Sequence, residues 1–344
     1  MPIKMTNEKV NINNRRIING KDADVVQLYP MKHTFAWNAY NVGNSNHWLP
    51  TEIAMQKDIE QWKSPTFLNQ DERQALKTVL GFFTTADSIA ANNVVLALYK
   101  HITSPECRMY LLRQGYEEAI HTHAYQYIVE SLGLEEGEIF NMYREVEAIY
   151  NKASFILGFN EGIFSPDFKT GTFENDQKFL ENLCVFSLIM EGIFFYSSFA
   201  VIFGFQRQNK MQGCAEQIQY IMRDESQHLN FGINMINAIK EEQPELWTPE
   251  FQQHIIDLVK EAARLEYTFA NTVFPKGIFG MNAEGFTKYI EHIADRRLSR
   301  VGLPEQFHTP NPFPWMSEAI DLSKEKNFFE TRVTEYQVGG TLDW

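Results

Sequence analysis

The sequence predicts an all-α protein, a single large helical bundle with a polar centre, and three observations carry this. Hydrophobic residues recur with the helical period almost continuously from residue 70 to about 302. The segment Leu183–Phe205, "LCVFSLIMEGIFFYSSFAVIFGF", holds 23 residues with one charge, Glu191. Two stretches, "YEEAIHTHAYQY" (116–127) and "RDESQH" (223–228), each place a Glu three residues before a His.

The totals fit one such body. With 344 residues, 44% of them apolar and 27 of them Phe, the chain can fill a wide core. A net charge of −13, with no long basic block, argues against nucleic acid or an anionic membrane surface as partner. Cys107, Cys184 and Cys214 form no CxxC pair and are odd in number, so a reduced, cytoplasmic setting is expected. "MPIKMTNEKVNINNRR" lacks the apolar run of a secretory signal.

Along the chain, residues 1–30 read as an irregular N-terminal segment. The helical domain covers 31–303, and its first part, 31–65, is a loop-rich entry carrying Trp37, Trp48 and Trp62. Ser104-Pro105 and Thr248-Pro249 each set a capping residue before a proline suited to the first helical position. Leu183–Phe205 is long enough to span a bilayer, but a carboxylate at its middle and the lack of a second such segment favour the central helix of a bundle. Residues 304–344 are broken by prolines and then by Gly339-Gly340, and read either as a mobile tail with a docking tip or as an ordinary frayed terminus.

A Glu-x-x-His pair sets carboxylate and imidazole on one helix face. Alone it is a weak signal. With nine His and 44 acids, about one acid-x-x-His is expected by chance, and there are three. Glu305/His308 lies between Pro304 and Pro310, where no helix aligns it, and is set aside. The other two have context. Asp87 falls on the apolar stripe Leu76, Leu80, Phe83, Ala90, Val94, Leu98, and Glu191 is the one charge of its segment. Asp87 precedes Glu118 by 31 residues, and Glu191 precedes Glu225 by 34, each with a chain break near the midpoint. Antiparallel arms of roughly 22–26 Å then bring Asp87 level with Glu118/His121, and Glu191 level with Glu225/His228.

Four carboxylates in an apolar bundle need cations. Basic partners are missing from these faces; Arg223 can neutralise one acid, not four. Two divalent cations restore balance, and a carboxylate-rich set with one His per metal suits Fe or Mn better than Zn. Helical bundles of this design hold di-iron and di-manganese centres. Tyr125, one turn after His121, is either a core tyrosine or, beside an oxygen-activating centre, a one-electron donor. Phe195, Phe199 and Ile221 lie near the acids and can keep a pocket dry. Tyr116 and Tyr127 read as packing, and Glu117 and His123 receive no metal role.

"EEAIHTHAY", "MEGIFFYSSF" and "RDESQHLNFG", with "HWLPTE" before them and "NPFPWMSE…NFFETRVTEYQ" after, resemble the radical-generating small (β) subunit of class I ribonucleotide reductase. The resemblance runs from about residue 30 to the end. It implies a ferritin-like fold, a homodimer, and a metal set of Asp87, Glu118, His121, Glu191, Glu225 and His228. It puts Tyr125 at the radical position. It further implies a transfer route from His121 through Asp224 and Trp48 to Tyr336, with the tail docking on the large catalytic subunit. The tail and "EEAIHTH" are similar to a subgroup with Phe for the tyrosine, Glu as first ligand and a Mn/Fe cofactor. Tyr125 and Asp87 instead match the di-iron tyrosyl-radical members, so Fe/Fe is expected, with Mn/Fe or Mn/Mn as alternatives. The substrate-side chemistry belongs to the partner, since this chain has no Gly-rich phosphate loop and no dithiol. Two rival readings of such a bundle are a two-electron oxidase of lipid-like substrates, which needs no tail, and an iron store, which would be a shorter chain.

Overall fold

The computed structural model describes residues 9–21 and 26–317. Tyr336, and residues 318–344 in general, lie outside the described residues.

Four long helical rods form the centre. The first is α3 (Gln70–Asn92), which runs on as a π-helical stretch, Asn93–Leu98. Its start is fixed by a capping box: Asn69 accepts from the Glu72 amide while Glu72 accepts from the Asn69 amide. The second is α4 (Pro105–Leu132), which stops at Gly133 because that residue adopts φ +65°, open to glycine. The third joins α8 (Phe173–Cys184), a π-helical stretch Val185–Phe194, and α9 (Phe195–Arg207). The fourth is α10 (Gln212–Glu242). The breaks after Leu98 and Arg207 fall where the sequence placed them.

Around this core, α1 (Thr34–Ser45) lies on α4 and α10, and α2 (Gln56–Lys63) abuts α10. There, buried Asp58 accepts the first free amides of α10, from Gly213 (3.0 Å) and Cys214 (2.7 Å). The short α5 (Glu136–Phe140) and α6 (Met142–Glu145) lead to α7 (Glu147–Asn160), which packs on α11 (Pro249–Val273). Next comes α12 (Ala283–Arg300). No β-strand forms among the described residues. Thr248 caps α11 as expected, through the Phe251 amide. Ser104 does not cap α4; its hydroxyl is engaged by the His33 imidazole at 3.0 Å, and proline alone sets that start.

Among the described residues two helices, not one, are long and apolar enough to cross a membrane: Phe173–Arg207, whose apolar window is wholly buried, and Gln70–Leu98, whose window is 67% buried. The sequence showed one because the charged first turns of α3 mask its apolar length. Both rods point their apolar faces into the bundle, where they form the core with α10 and α11.

The terminal segments are pinned where described. Ile17 and Ile18 are fully buried. After α12, the amides of Gln306, Phe307 and His308 donate to Asp295, and Phe313 packs on Phe286 and Tyr289. All three cysteines are free and buried.

Candidate metal centre

Glu118 lies thirteen residues into α4 from Pro105, and Glu225 thirteen into α10 from Gln212. The two helices thus present their Glu-x-x-His faces from the same depth. Asp87 comes from α3 and Glu191 from the π-helical stretch of the third rod. All six side chains are buried.

They form two groups whose ligand atoms lie within 4.8 Å of one another: Asp87, Glu118, His121, Glu225, and Glu118, Glu191, Glu225, His228. This corrects the simple pairing of one hairpin with one group, because Glu118 and Glu225 belong to both. Their oxygens divide between the histidines. His121 Nδ1 meets Glu225 Oε1 (3.1 Å), Asp87 Oδ2 (3.6 Å) and Glu118 Oε2 (3.7 Å). His228 Nδ1 meets Glu118 Oε1 (3.3 Å), Glu225 Oε2 (3.4 Å) and Glu191 Oε1 (3.9 Å). Two carboxylates that each turn one oxygen to either side are what a pair of cations shares.

The electrostatics agree. Burial, then the charges of neighbouring acids, push Glu191 well above the ordinary carboxylate range. Burial does the same for Asp87, and burial and the nearby Glu225 raise Glu118. Burial would lower both histidines, but the surrounding carboxylates hold them well above the usual imidazole value. So much like charge in a dry interior calls for a counter-charge. The inward atoms Asp87 Oδ1 and Oδ2, both oxygens of Glu118 and Glu225, Glu191 Oε2 and both histidine Nδ1 have no hydrogen-bond partner. Buried polar atoms are normally satisfied, and here cations would satisfy them. The donor set therefore fits two metal ions.

The outward atoms, by contrast, are held. His121 Nε2 faces Asp224 Oδ2 at 3.4 Å, and the Trp48 indole N–H donates to the same oxygen at 2.8 Å. Arg223 donates to Asp224 Oδ1 at 3.2 Å rather than neutralising a central acid. Trp48 stacks on Tyr220 with ring centroids 5.2 Å apart. Three partners escaped the sequence reading. Glu117 accepts from His228 Nε2 at 2.8 Å and from Arg113 at 3.0 Å, and Gln114 donates to Glu191 Oε1 at 2.7 Å. The available signal was the acid directly before each ligand Glu, Glu117-Glu118 and Asp224-Glu225. The third partner is Phe83, whose ring lies flat on Tyr125 at 5.2 Å and 3° and meets Phe195 and Phe199 beyond.

Tyr125 is fully buried. Burial, then the Asp87 carboxylate beside it, push its phenol well above the ordinary value. Ile221, Phe195 and Phe199 are buried as expected. Tyr127 donates to the Ile53 carbonyl at 3.3 Å, whereas Tyr116 is exposed under Arg113 rather than packed inside. His123 is exposed, and the set-aside Glu305/His308 pair is an exposed contact of 3.4 Å. Asp295 lies beside that pair, its oxygens already taken by backbone amides.

Comparison with known proteins adds the following. The family model "Ribonucleotide reductase, small chain" matches residues 25–312. Ribonucleoside-diphosphate reductase subunit beta of Chlamydia pneumoniae is 52% identical over 98% of this chain and 97% of its own. The small chain of Plasmodium falciparum is 31% identical over 96% and 88%. The solved ribonucleotide reductase R2 subunit from Clostridium botulinum aligns with a TM-score of 0.80 at 27% identity, covering 89% of this chain and 94% of that one.

Proposed function

The chain belongs to the ribonucleotide reductase small-chain family, and from that premise we propose which of its residues do the family's work. The protein is the radical-generating subunit of a ribonucleoside-diphosphate reductase and serves deoxyribonucleotide synthesis. Its partner is the large catalytic chain, and it works as a homodimer. The reading of the site rests on one observation: two interleaved groups of unpartnered inward atoms share Glu118 and Glu225, with Tyr125 alongside.

Asp87, Glu118, His121, Glu225 and Glu191, Glu118, Glu225, His228 would hold two metal ions per chain. Oxygen-rich ligation with one imidazole each favours Fe/Fe, with Mn/Fe or Mn/Mn as alternatives. Bound there, a metal pair would supply the oxidising power, drawn from O₂, that no side chain possesses. With that acceptor in place Tyr125 would lose one electron to it, and Asp87, the carboxylate beside the phenol, would take the phenolic proton. Phe83, Phe195, Phe199 and Ile221 exclude water and stray reductants from the ring. The oxidising equivalent then leaves along His121, Asp224 and Trp48. The first two steps span 3.4 and 2.8 Å. Tyr336, the last carrier, would stand on the 304–344 tail that docks on the large chain, beyond the 31–303 helical domain and the 1–30 segment. Three unpaired cysteines suit a reducing cytoplasm. A hydrocarbon oxidase of this fold would have no use for an indole at the end of a hydrogen-bonded line.

The deciding experiment is electron paramagnetic resonance after Fe(II) and O₂ are added. A tyrosyl signal is expected in the native chain and none in Tyr125→Phe, with two metal ions per chain in both. No organic radical with iron, but turnover with manganese, would replace the tyrosyl reading by a metal-based one.

A further inference from the structure

The two lines that leave the centre are built alike, and they cross. In each Glu-x-x-His helix the residue before the ligand Glu is also acidic. Successive helical residues diverge by about 100°, so that acid turns from its own cluster towards the neighbouring helix. Asp224 of α10 thereby reaches His121 of α4, and Glu117 of α4 reaches His228 of α10. The contact made by Glu117 is the shorter, 2.8 Å against 3.4 Å. Each acid gives its other oxygen to an arginine, Arg113 at 3.0 Å and Arg223 at 3.2 Å. The lines differ at their ends. Asp224 also accepts an indole N–H, whereas Glu117 is closed off by a guanidinium, which does not deprotonate. The backbone of α1 completes that closure: a Cβ added at Gly43 would lie 2.9 Å from Glu117 Oε1 and 3.2 Å from Arg113 Cγ.

We propose that Glu117, backed by Arg113 and roofed by Gly43, is the positioning residue for His228, fixing its Nε2–H outward so that Nδ1 faces the metal pair. It orients a ligand and carries no electron. This rests on the metal-centre reading above, in which His228 is a ligand. Carboxylates that hold the far nitrogen of a ligating histidine typically contribute 10–100-fold to metal affinity.

The test is titration of the metal-free full-length chain with Mn(II), followed by binding stoichiometry and electron paramagnetic resonance. The native chain should take up two ions per chain and give the broadened spectrum of a coupled pair. Glu117→Leu should lower the affinity of one ion about 10–100-fold, leaving the sharp six-line signal of isolated Mn(II) at one equivalent. Glu117→Gln, which keeps an acceptor for His228, should fall between. Gly43→Ala leaves Glu117 present but pushes its carboxylate, and should weaken the same ion while the helix stays folded by circular dichroism. Two tightly bound, coupled ions in Glu117→Leu would overturn the proposal. A native chain that does not bind two ions would instead overturn the metal-centre reading on which it rests.

Discussion

Trp48 is one tryptophan of six, and only its neighbours set it apart: a buried indole whose single N–H is spent on Asp224 while its face rests on Tyr220. Trp48→Phe keeps the stack and removes the donor. The tyrosyl signal of the isolated subunit should persist in this variant, while turnover with the large chain falls by at least two orders of magnitude. Loss of the radical itself, measured before any partner is added, would place Trp48 in assembly of the centre and not on the outward line. This residue also marks what could be read in advance. Asp87 and Glu191 were legible because a lone carboxylate on an apolar face is chemically anomalous. Trp48 and Asp224 were visible only through family resemblance, since nothing local announces a contact across 176 positions. Glu117 was hidden by Glu118 beside it. Of two adjacent acids, which one points inward depends on where the next helix lies.

Among elements, two helix starts were legible, at Pro105 and at Thr248-Pro249, and helix interiors were not. Asn69 with Glu72, and Gly133, mark boundaries by the same chemistry, which acts within four residues, but went unread. The π-helical stretches Asn93–Leu98 and Val185–Phe194 carry no such local mark in the sequence. Packing between α7 and α11 shows a second hidden device. Lys152 and Glu266 are both fully buried and lie 2.6 Å apart, with the ammonium 3.5 Å above the Phe82 ring and 4.0 Å from that of Phe269. Burial pulls Lys152 down to about 8, against the attraction of Glu266. Lys152→Met alone leaves a carboxylate stranded and should cost about 3–5 kcal/mol in chemical denaturation. Adding Glu266→Leu should recover most of that loss. A single-variant cost under about 1 kcal/mol would mean that Glu266 finds water or a proton at little expense.

Across the whole molecule, one cluster fastens the start of α4 and the end of α10, which meet at one end of the bundle, to the N-terminal segment. Glu106, in the first turn of α4, accepts the amides of Lys32 and His33. Glu242, in the last turn of α10, accepts the Ile17 amide and pairs with Lys32 at 2.6 Å and with His33 at 2.9 Å. Burial would raise Glu106, but hydrogen bonds from His33 hold it at about 2, below its ordinary 4.5. Burial would lower His33, but Glu106 and Glu242 keep it above 6.5. The stabilisation from Glu106 is therefore complete above pH 4.5 and is lost as the pH falls through about 2, a loss of about 3 kcal/mol. The contribution of His33 is complete below pH 6.5 and is lost on the alkaline side, above its raised value. Melting temperatures of the native chain and Glu106→Gln should converge as the pH drops below 4.5. Parallel curves across that range would show that the cluster does not clamp the fold. The sequence indicated one large domain through its continuous helical period, but could not show this fastening, which joins residues more than 200 positions apart.

The three cysteines give the fold a built-in gauge. Each is buried, and burial raises all three thiols, so almost none is present as the reactive thiolate at neutral pH. They sit in separate places: Cys107 at the head of α4, Cys184 at the end of α8, Cys214 at the head of α10. A subunit that handles strong oxidants thus keeps its own thiols off the oxidation ladder without needing a disulfide. Any thiol that a labelling reagent reaches has been uncovered by loosening of the packing around it, and the order in which the three appear would report which part of the bundle loosens first.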